Sequence, residues 1–240
     1  MTAPAPAPAS KNLVERIFGV FFSPRATYAD VADRPRAFGV LAFIVLVGAI
    51  GVYAFMSTEV GKQAMLDQQV RTMESFGMKI DDAAYARMET GVKYAPYTGA
   101  AGQAIVLPLV GALLAGILLG VFNALLGGDA TYKQVFAIVC HSGLVISLAQ
   151  IFGLPLAYAR ETMSSATNLA VFFPFLEENS FAARLLGTID LFQIWWLVSL
   201  SIGLGVLYKK RTGPIATTML IVYAAIALIL AAIRTALSGA

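Results

Sequence analysis

The chain has 240 residues, of which 58% are hydrophobic and only 13% are charged, and its mean hydropathy is +0.75. Roughly a quarter of the residues in soluble domains are charged, so this composition excludes an ordinary soluble domain and indicates an integral membrane protein. The net charge of +3 is spread around apolar segments instead of forming a basic groove, so we expect contacts with lipid head groups and no nucleic-acid partner. One cysteine and one histidine give neither a disulfide framework nor metal-ligand spacing, and we expect no cofactor and no metal.

The part of the chain before the first apolar segment predicts a tail and two short helices. Residues 1–10 alternate Ala and Pro, which favours an extended tail, and they lack a signal-peptide pattern. Within residues 11–36, the stretch KNLVERIFGVFF predicts an amphipathic helix that lies in the membrane interface. Its apolar face consists of large side chains, namely Leu13, Ile17, Phe18, Phe21 and Phe22. We expect the second helix to begin with Ser23 as N-cap and Pro24 in its first turn, and to end before Pro35.

Five apolar segments are long enough to cross a hydrocarbon layer of ~30 Å as helices. They are residues 37–56, 104–126, 134–156, 191–207 and 215–233. None of them contains Asp, Glu, Lys or Arg. The sequence therefore predicts an all-α bundle of five transmembrane helices over residues 37–233.

Two longer loops connect the spans. Residues 57–101 are rich in mixed charges and predict one or two polar helices that form a solvated hairpin, with Asp81 or Asp82 near a helix N-terminus. Residues 168–181 carry dense aromatic side chains but are too short to span, so we expect them to dip into the interface. A re-entrant segment is the alternative, and it would need protein around its backbone.

Basic residues in short segments lie at one end of the predicted spans, whereas those at the other end are diluted in an acidic loop. Positively charged short loops stay on the cytoplasmic side, so we expect a cytoplasmic N-terminus and an external C-terminus. Such residues also attract anionic lipids. The expected head-group contacts are Arg16, Arg25, Arg34, Arg36, Lys209, Lys210 and Arg211.

His141 lies inside the third span, where an ionisable side chain is by default a functional candidate. No charged partner lies in any span, so we favour a structural hydrogen bond to a neutral residue such as Asn123 or Gln193, with Cys140 as an apolar filler. The alternative is a polar groove, as in a transporter of lipids or small molecules, in which Asn123, His141, Gln150 and Gln193 meet. We expect no catalytic residues, because an intramembrane hydrolase would need a nucleophile, a base and an orienting group within reach.

Small residues recur every four positions in two spans, a pattern that lets transmembrane helices approach closely. The positions are Ala112, Gly116, Gly120 and Ala124 in the second span, and Ser199 and Gly203 in the fourth. They predict tight helix packing and a possible face for a second copy or another membrane protein.

Three stretches also resemble a known family in their order and spacing. They are IFGVFFSPRATYADVADRPR, GGDATYKQVFAIV and LLGTIDLFQIWWLVSLSIGLGVLYKKRTGPIAT. Together they resemble the Yip family of Ypt-interacting membrane proteins over about residues 14–233. The resemblance implies five spans, a cytosolic N-terminus and no catalytic residues.

In eukaryotic members the resemblance implies an adaptor that contacts Rab-type GTPases. The segment before the first span is short in this chain and lacks the long cytosolic region of those members, so we do not expect Rab-type binding. The short segment resembles that of bacterial members, which reside in the cytoplasmic membrane. We therefore expect a non-enzymatic scaffold or adaptor in membrane organisation or trafficking, whose partners are lipids and other membrane proteins or a second copy.

Overall fold

A computed structural model of the protein describes residues 11–177 and 180–237. The predicted extended tail, residues 1–10, lies outside the described residues. The described chain is helical, and the backbone pairing outside helices is one isolated bridge between Asn168 and Asp190. The α-helices are α1 (Leu13–Phe22), α2 (Pro24–Asp33), α3 (Phe38–Met56), α4 (Glu59–Ser75), α5 (Asp82–Val92), α6 (Ala95–Leu119), α7 (Tyr132–Ser142), α8 (Leu144–Ala159), α9 (Phe181–Thr188), α10 (Leu191–Leu207) and α11 (Thr212–Leu237).

The predicted all-α membrane bundle is confirmed. Four helical stretches are long and apolar enough to span a membrane, namely α3, α6 with the turn that follows it, α7 together with α8, and α11. The apolar helix α10 has 17 residues and is shorter. Large side chains such as Leu113, Ile221 and Ile229 are more than half exposed, which suits a surface that faces lipid.

The membrane helices differ most from the predicted spans at α6 and in the third span, and α11 extends beyond the predicted 215–233 at both ends. Helix α6 begins at Ala95 because Pro96 fits the first helical turn, so its first residues come from the stretch predicted as a polar loop. Its far end widens into a π-helical segment, Gly120–Leu125. The third span is divided at Gly143 into α7 and α8.

The division at Gly143 has a local cause. His141 donates from Nδ1 to the carbonyl of Ala137 at 2.7 Å, and the Ser142 hydroxyl donates to the carbonyl of Val139 at 2.8 Å. Side chains that bond back to preceding carbonyls bend helices. The division at Gly143 therefore lies beside the polar residues of the span.

Helices α1 and α2 form an N-terminal hook, residues 12–34. Helix α1 begins with a capping box in which the Asn12 side chain accepts from the Glu15 amide at 2.9 Å and Glu15 accepts from the Asn12 amide at 2.7 Å. Helix α2 begins at Pro24, as predicted, and packs against α7 and α10. The hook thus closes one end of the bundle, and only α1 presents large exposed apolar side chains, such as Phe18 and Phe22, in the manner of an interfacial helix.

We call the end of the bundle with the hook and the turns 126–131 and 208–211 the hook side, and the opposite end the loop side. On the loop side, α4 and α5 form the polar hairpin, with Asp81 as the N-cap of α5. Residues 168–181, of which 178 and 179 lie outside the described residues, contain a 3₁₀ turn, Leu169–Phe172, that packs on α9. Phe172 and Phe175 stay exposed there.

Candidate functional site

On the hook side, an ion pair is buried between α1 and α2. Arg16 Nη2 lies 2.8 Å from Asp30 Oδ2, its Nε donates to the same oxygen at 2.8 Å, and Nη2 also donates to the Arg34 carbonyl at 3.0 Å. Only 3% of the Arg16 side chain is exposed. Arg16 therefore departs from the expected head-group contacts, because its guanidinium is used to neutralise Asp30 within the hook.

The other predicted head-group contacts remain accessible. Arg34 is partly exposed and lies 3.8 Å from the Asp33 carboxylate. The exposed residues are Arg25, Arg36, Lys209, Lys210 and Arg211. They lie on the hook side at the ends of helices, so a lipid contact for them stays a prediction.

Small residues of helix α10 pack directly against the hook. The hydroxyls of Tyr28 and Ser199 share a hydrogen bond of 2.7 Å, and both residues are buried. A Cβ added to Gly203 would lie 2.5 Å from Ile138 Cγ2 and 3.0 Å from Tyr28 Cδ1, so the ring packs directly on the α10 backbone. Burial raises the pKa of Tyr28 above its usual range, and the hydroxyl stays protonated. Ser199 and Gly203 thus pack within the chain itself.

The small residues of α6 and of the π-helical segment that continues it, together called the α6 ladder, have different surroundings. Gly116 and Gly120 are exposed, and no atom of the described chain lies within 4 Å of a Cβ added at either position. Ala124 is also exposed, while Ala112 is half-buried and its carbonyl accepts from the Tyr132 hydroxyl at 3.0 Å. This ladder is consequently an open face of the bundle.

The four polar residues predicted as one cluster are divided between the two sides. Asn123 holds the hook-side turn by donating from Nδ2 to the Ala130 carbonyl at 2.8 Å. His141 is fully buried in the core; its Nδ1 bonds to its own helix, and its Nε2 has no partner among the described residues. Neither Asn123 nor Gln193 is therefore the partner of His141.

Gln150 and Gln193 do meet, on the loop side. Both line a cavity of about 280 Å³ between α8, the start of α10 and the loop of residues 163–167. Ser165, Thr167 and Asp190 line the same cavity. The structure therefore brings together two of the four predicted residues and adds a carboxylate.

Asp190 is the polar residue of this cavity that sequence reasoning missed as a site residue. Its Oδ1 caps α10 by accepting from the amides of Phe192 at 2.8 Å and Gln193 at 3.3 Å. Its Oδ2 accepts from the hydroxyls of Ser165 at 2.5 Å and Thr167 at 2.7 Å. Burial opposes ionisation of this carboxyl, but the four hydrogen bonds together hold its pKa below the usual value. An aspartate directly before an apolar run is a recognisable N-cap signal, whereas its bonds to the distant loop are not visible in the sequence.

This arrangement of apolar helices, hook and polar loop side defines a multi-pass, all-α membrane protein. The model of the Yip1 domain matches residues 18–233, and the chain belongs to the Yip1 domain family. It is 26% identical over 204 residues, 83% of this chain and 79% of the relative, to the membrane protein YknW of Bacillus subtilis (strain 168). No solved structure matches the chain. The resemblance seen in the sequence is thus confirmed at the level of the family.

Proposed function

We propose that this Yip1 domain protein is a non-enzymatic scaffold or adaptor of the bacterial cytoplasmic membrane, with its hook side in the cytoplasm. The exposed basic residues of the hook side support this orientation, since each is worth about 1 kcal/mol near an anionic leaflet. They include Arg25, Arg36 and Lys209 to Arg211. Their role is to position the bundle rather than to choose a partner.

The observation that carries the proposal is the open small-residue face of α6. Gly116 and Gly120 leave the backbone accessible along one stripe of a helix that faces lipid. In a bilayer, helices associate through close backbone packing, because lipid supplies no hydrophobic drive between them. In α10 the equivalent small residues are already covered by Tyr28 and Ile138. Helix α6 therefore offers an accessible docking face for another membrane helix.

The surroundings of His141 support a non-enzymatic role. Its Nδ1 donates to the carbonyl of Ala137 on the same helix, so the ring is oriented by the backbone and not by a carboxylate. A histidine that acts as a general base is normally oriented by a third group and lies beside a nucleophile. A transporter groove is not proposed either, because the described cavity that Gln150 and Gln193 line does not include Asn123 or His141.

The test compares leucine substitutions on α6. Gly116→Leu and Gly120→Leu fill the open stripe, whereas Gly102→Leu adds the same side chain nearer the loop-side end of the same helix, before the ladder begins, where an added Cβ also meets no described atom. After mild purification in lipid discs, we expect a near-stoichiometric membrane protein, or a second copy, with the wild type and Gly102→Leu. We expect that partner to be lost from both stripe variants. Equal recovery of the partner with all four proteins, or its absence from the wild type, would contradict the proposal.

A further inference from the structure

The loop-side cavity continues into a second, apolar groove. This groove has a volume of about 340 Å³ and lies between α3 and α8, where Gly51, Ile151 and Pro155 form part of its wall. Phe55, Gln150 and Leu154 belong to both, so the two spaces adjoin. Together they reach the size of ordinary ligand sites, about 300 to 1,000 Å³. The loop-side end, which we call the polar end, has polar side chains such as Asp190 and Gln193 in a largely apolar wall, the groove is apolar, and Gln150 lies at the junction.

The polar end contains two amide side chains whose polar atoms have no partner. Within the described part of the chain, neither Gln150 nor Gln193 makes a side-chain hydrogen bond to another residue. Both lie in apolar helices, where polar groups without a partner are costly. Gln150 approaches Gly48, whose added Cβ would lie 3.1 Å from its Oε1, so its position is fixed by packing against α3. The two amides therefore offer free donors and acceptors to a polar occupant of the cavity.

The negative charge of Asp190 favours an occupant with a positive charge. A carboxylate has about four lone-pair sites, and here four neutral donors use them. The negative charge of Asp190 remains at the cavity wall. Its two oxygens have no lone pair left to accept a hydrogen bond from a neutral ligand, such as the hydroxyl group of a sugar. A cation gains from this charge without a direct bond, and the amide oxygens of Gln150 and Gln193 can accept from an ammonium group.

The apolar groove defines the other half of the occupant. Its walls carry side chains that face lipid, since Ile151 and Tyr158 are about half exposed. A hydrocarbon chain can therefore enter it from the bilayer without crossing a polar barrier. An amphiphile fits the combined space with its head at Asp190 and its tail along α3 and α8.

We propose that the loop side of the bundle binds a membrane lipid whose head group carries a primary ammonium. The amides of Gln150 and Gln193 contact the ammonium group, the charge of Asp190 favours it, and one acyl chain lies in the groove between α3 and α8. This binding site is independent of the docking face on α6.

The test uses purified protein with defined lipids and native mass spectrometry. The probes are phosphatidylethanolamine, which has a primary ammonium, and phosphatidylglycerol with the same acyl chains, supplied in equal amounts. We expect the wild type to retain the ammonium lipid about tenfold more than the glycerol lipid, as for one charge-assisted contact. Equal retention of both lipids would overturn the assignment of the head group.

Three variants locate the site. Gly153 lines the cavity, and no described atom lies within 4 Å of a Cβ added there, so Gly153→Phe fills the space without breaking a hydrogen bond. We expect Gly153→Phe to abolish lipid retention. We expect the same loss in the double variant that combines Gln150→Leu with Gln193→Leu. Asp190→Asn keeps an oxygen that can cap α10 but removes the charge, so the lipid should bind with its preference lost.

Gln103→Leu is the control for the surroundings of Gln150, because the amide oxygens of both residues would lie 3.1 Å from a Cβ added to Gly48, but Gln103 does not line the cavity. Its lipid retention should equal that of the wild type. Unchanged retention in Gly153→Phe, or an equal loss in Gln103→Leu, would show that the lipid binds elsewhere and would overturn the proposal. Each variant is first matched to the wild type by its thermal unfolding transition.

Discussion

The hook side and the loop side of the same bundle are packed in different ways. The main hydrophobic core joins the hook to the membrane helices, with Tyr28, Ile138 and Leu204 fully buried. The loop side has a small separate cluster around Phe55 and Ala95, next to the cavity and the groove. The bundle around the hook is thus filled by its own residues, and a separate cavity of about 270 Å³ lies between the hook-side turns, lined by Gly128, Tyr208 and Lys210. The loop side instead has two adjoining spaces, one of which continues as an apolar groove.

This difference shows how one end of a membrane bundle can be packed closely without a hydrophobic drive between its helices. The hook side uses a buried ion pair, a hydroxyl pair and a close contact at Gly203, all of which depend on precise geometry. On the loop side, polar contacts link a loop to a helix end and leave amides facing a cavity. We therefore expect substitutions on the hook side to cost more stability than those on the loop side.

The largest effect is expected for Arg16→Met. It leaves the Asp30 carboxylate without its cation in a mostly buried site, and breaking a buried pair in this way costs about 3 kcal/mol or more. Limited proteolysis of the hook and thermal unfolding in lipid discs measure the loss. The exposed Arg25, substituted as Arg25→Met, should behave like the wild type. Equal stability of the two variants would mean that the hook does not depend on the ion pair.

The next effect is expected for Gly203→Ala. The new methyl group would lie 2.5 Å from Ile138 Cγ2, so helix α10 must move away from α7, at a cost of about 2 kcal/mol. Gly213→Ala at the start of α11 meets nothing within 4 Å and should be neutral or slightly stabilising. Thermal unfolding of the two variants gives the comparison. A neutral Gly203→Ala would show that α10 and α7 are not in close contact at Gly203.

A smaller effect is expected for Tyr28→Phe. The substitution keeps the ring but removes the hydroxyl that bonds to Ser199, which is worth about 1 kcal/mol, since interhelical bonds in membranes are weak. A double-mutant cycle with Ser199→Ala isolates the pair. Additive losses would indicate that the two hydroxyls do not interact.

The sequence predicted the membrane helices well because the apolar runs carry no charge, and hydropathy alone identifies such runs. It could not place the hook. An apolar helix face with Ile17 and Phe21 has the same sequence pattern whether it contacts lipid or protein. In the structure the ion pair between Arg16 and Asp30 joins α1 to α2, and Ile17 and Phe21 pack against the core. The extension of α6 to Ala95 was missed because small and polar residues fit a helix and a loop equally well.

The candidate site was predicted in part, and topology explains the rest. Successive spans run in opposite directions, so Asn123 at the end of the second span and Gln150 near the end of the third lie on opposite sides. Gln193, at the start of the fourth, returns to the side of Gln150. Span order could thus have separated the amides from Asn123, whereas the hydroxyls that bond to Asp190 come from a loop more than 20 residues away.

The smallest effect is a local response of the loop side to acid. The folded state holds the pKa of Asp190 below its usual value, so the ionised carboxylate contributes stability that is present at neutral pH and is lost as pH falls through the aspartate range, ~3.9 and below. The carboxylate is partly exposed, so the loss should stay local. Hydrogen exchange, corrected for intrinsic rates, should rise on acidification in residues 163–193 before it rises in the hook. In Asp190→Asn this response should disappear, and if the variant still responds like the wild type, another group controls the loop side.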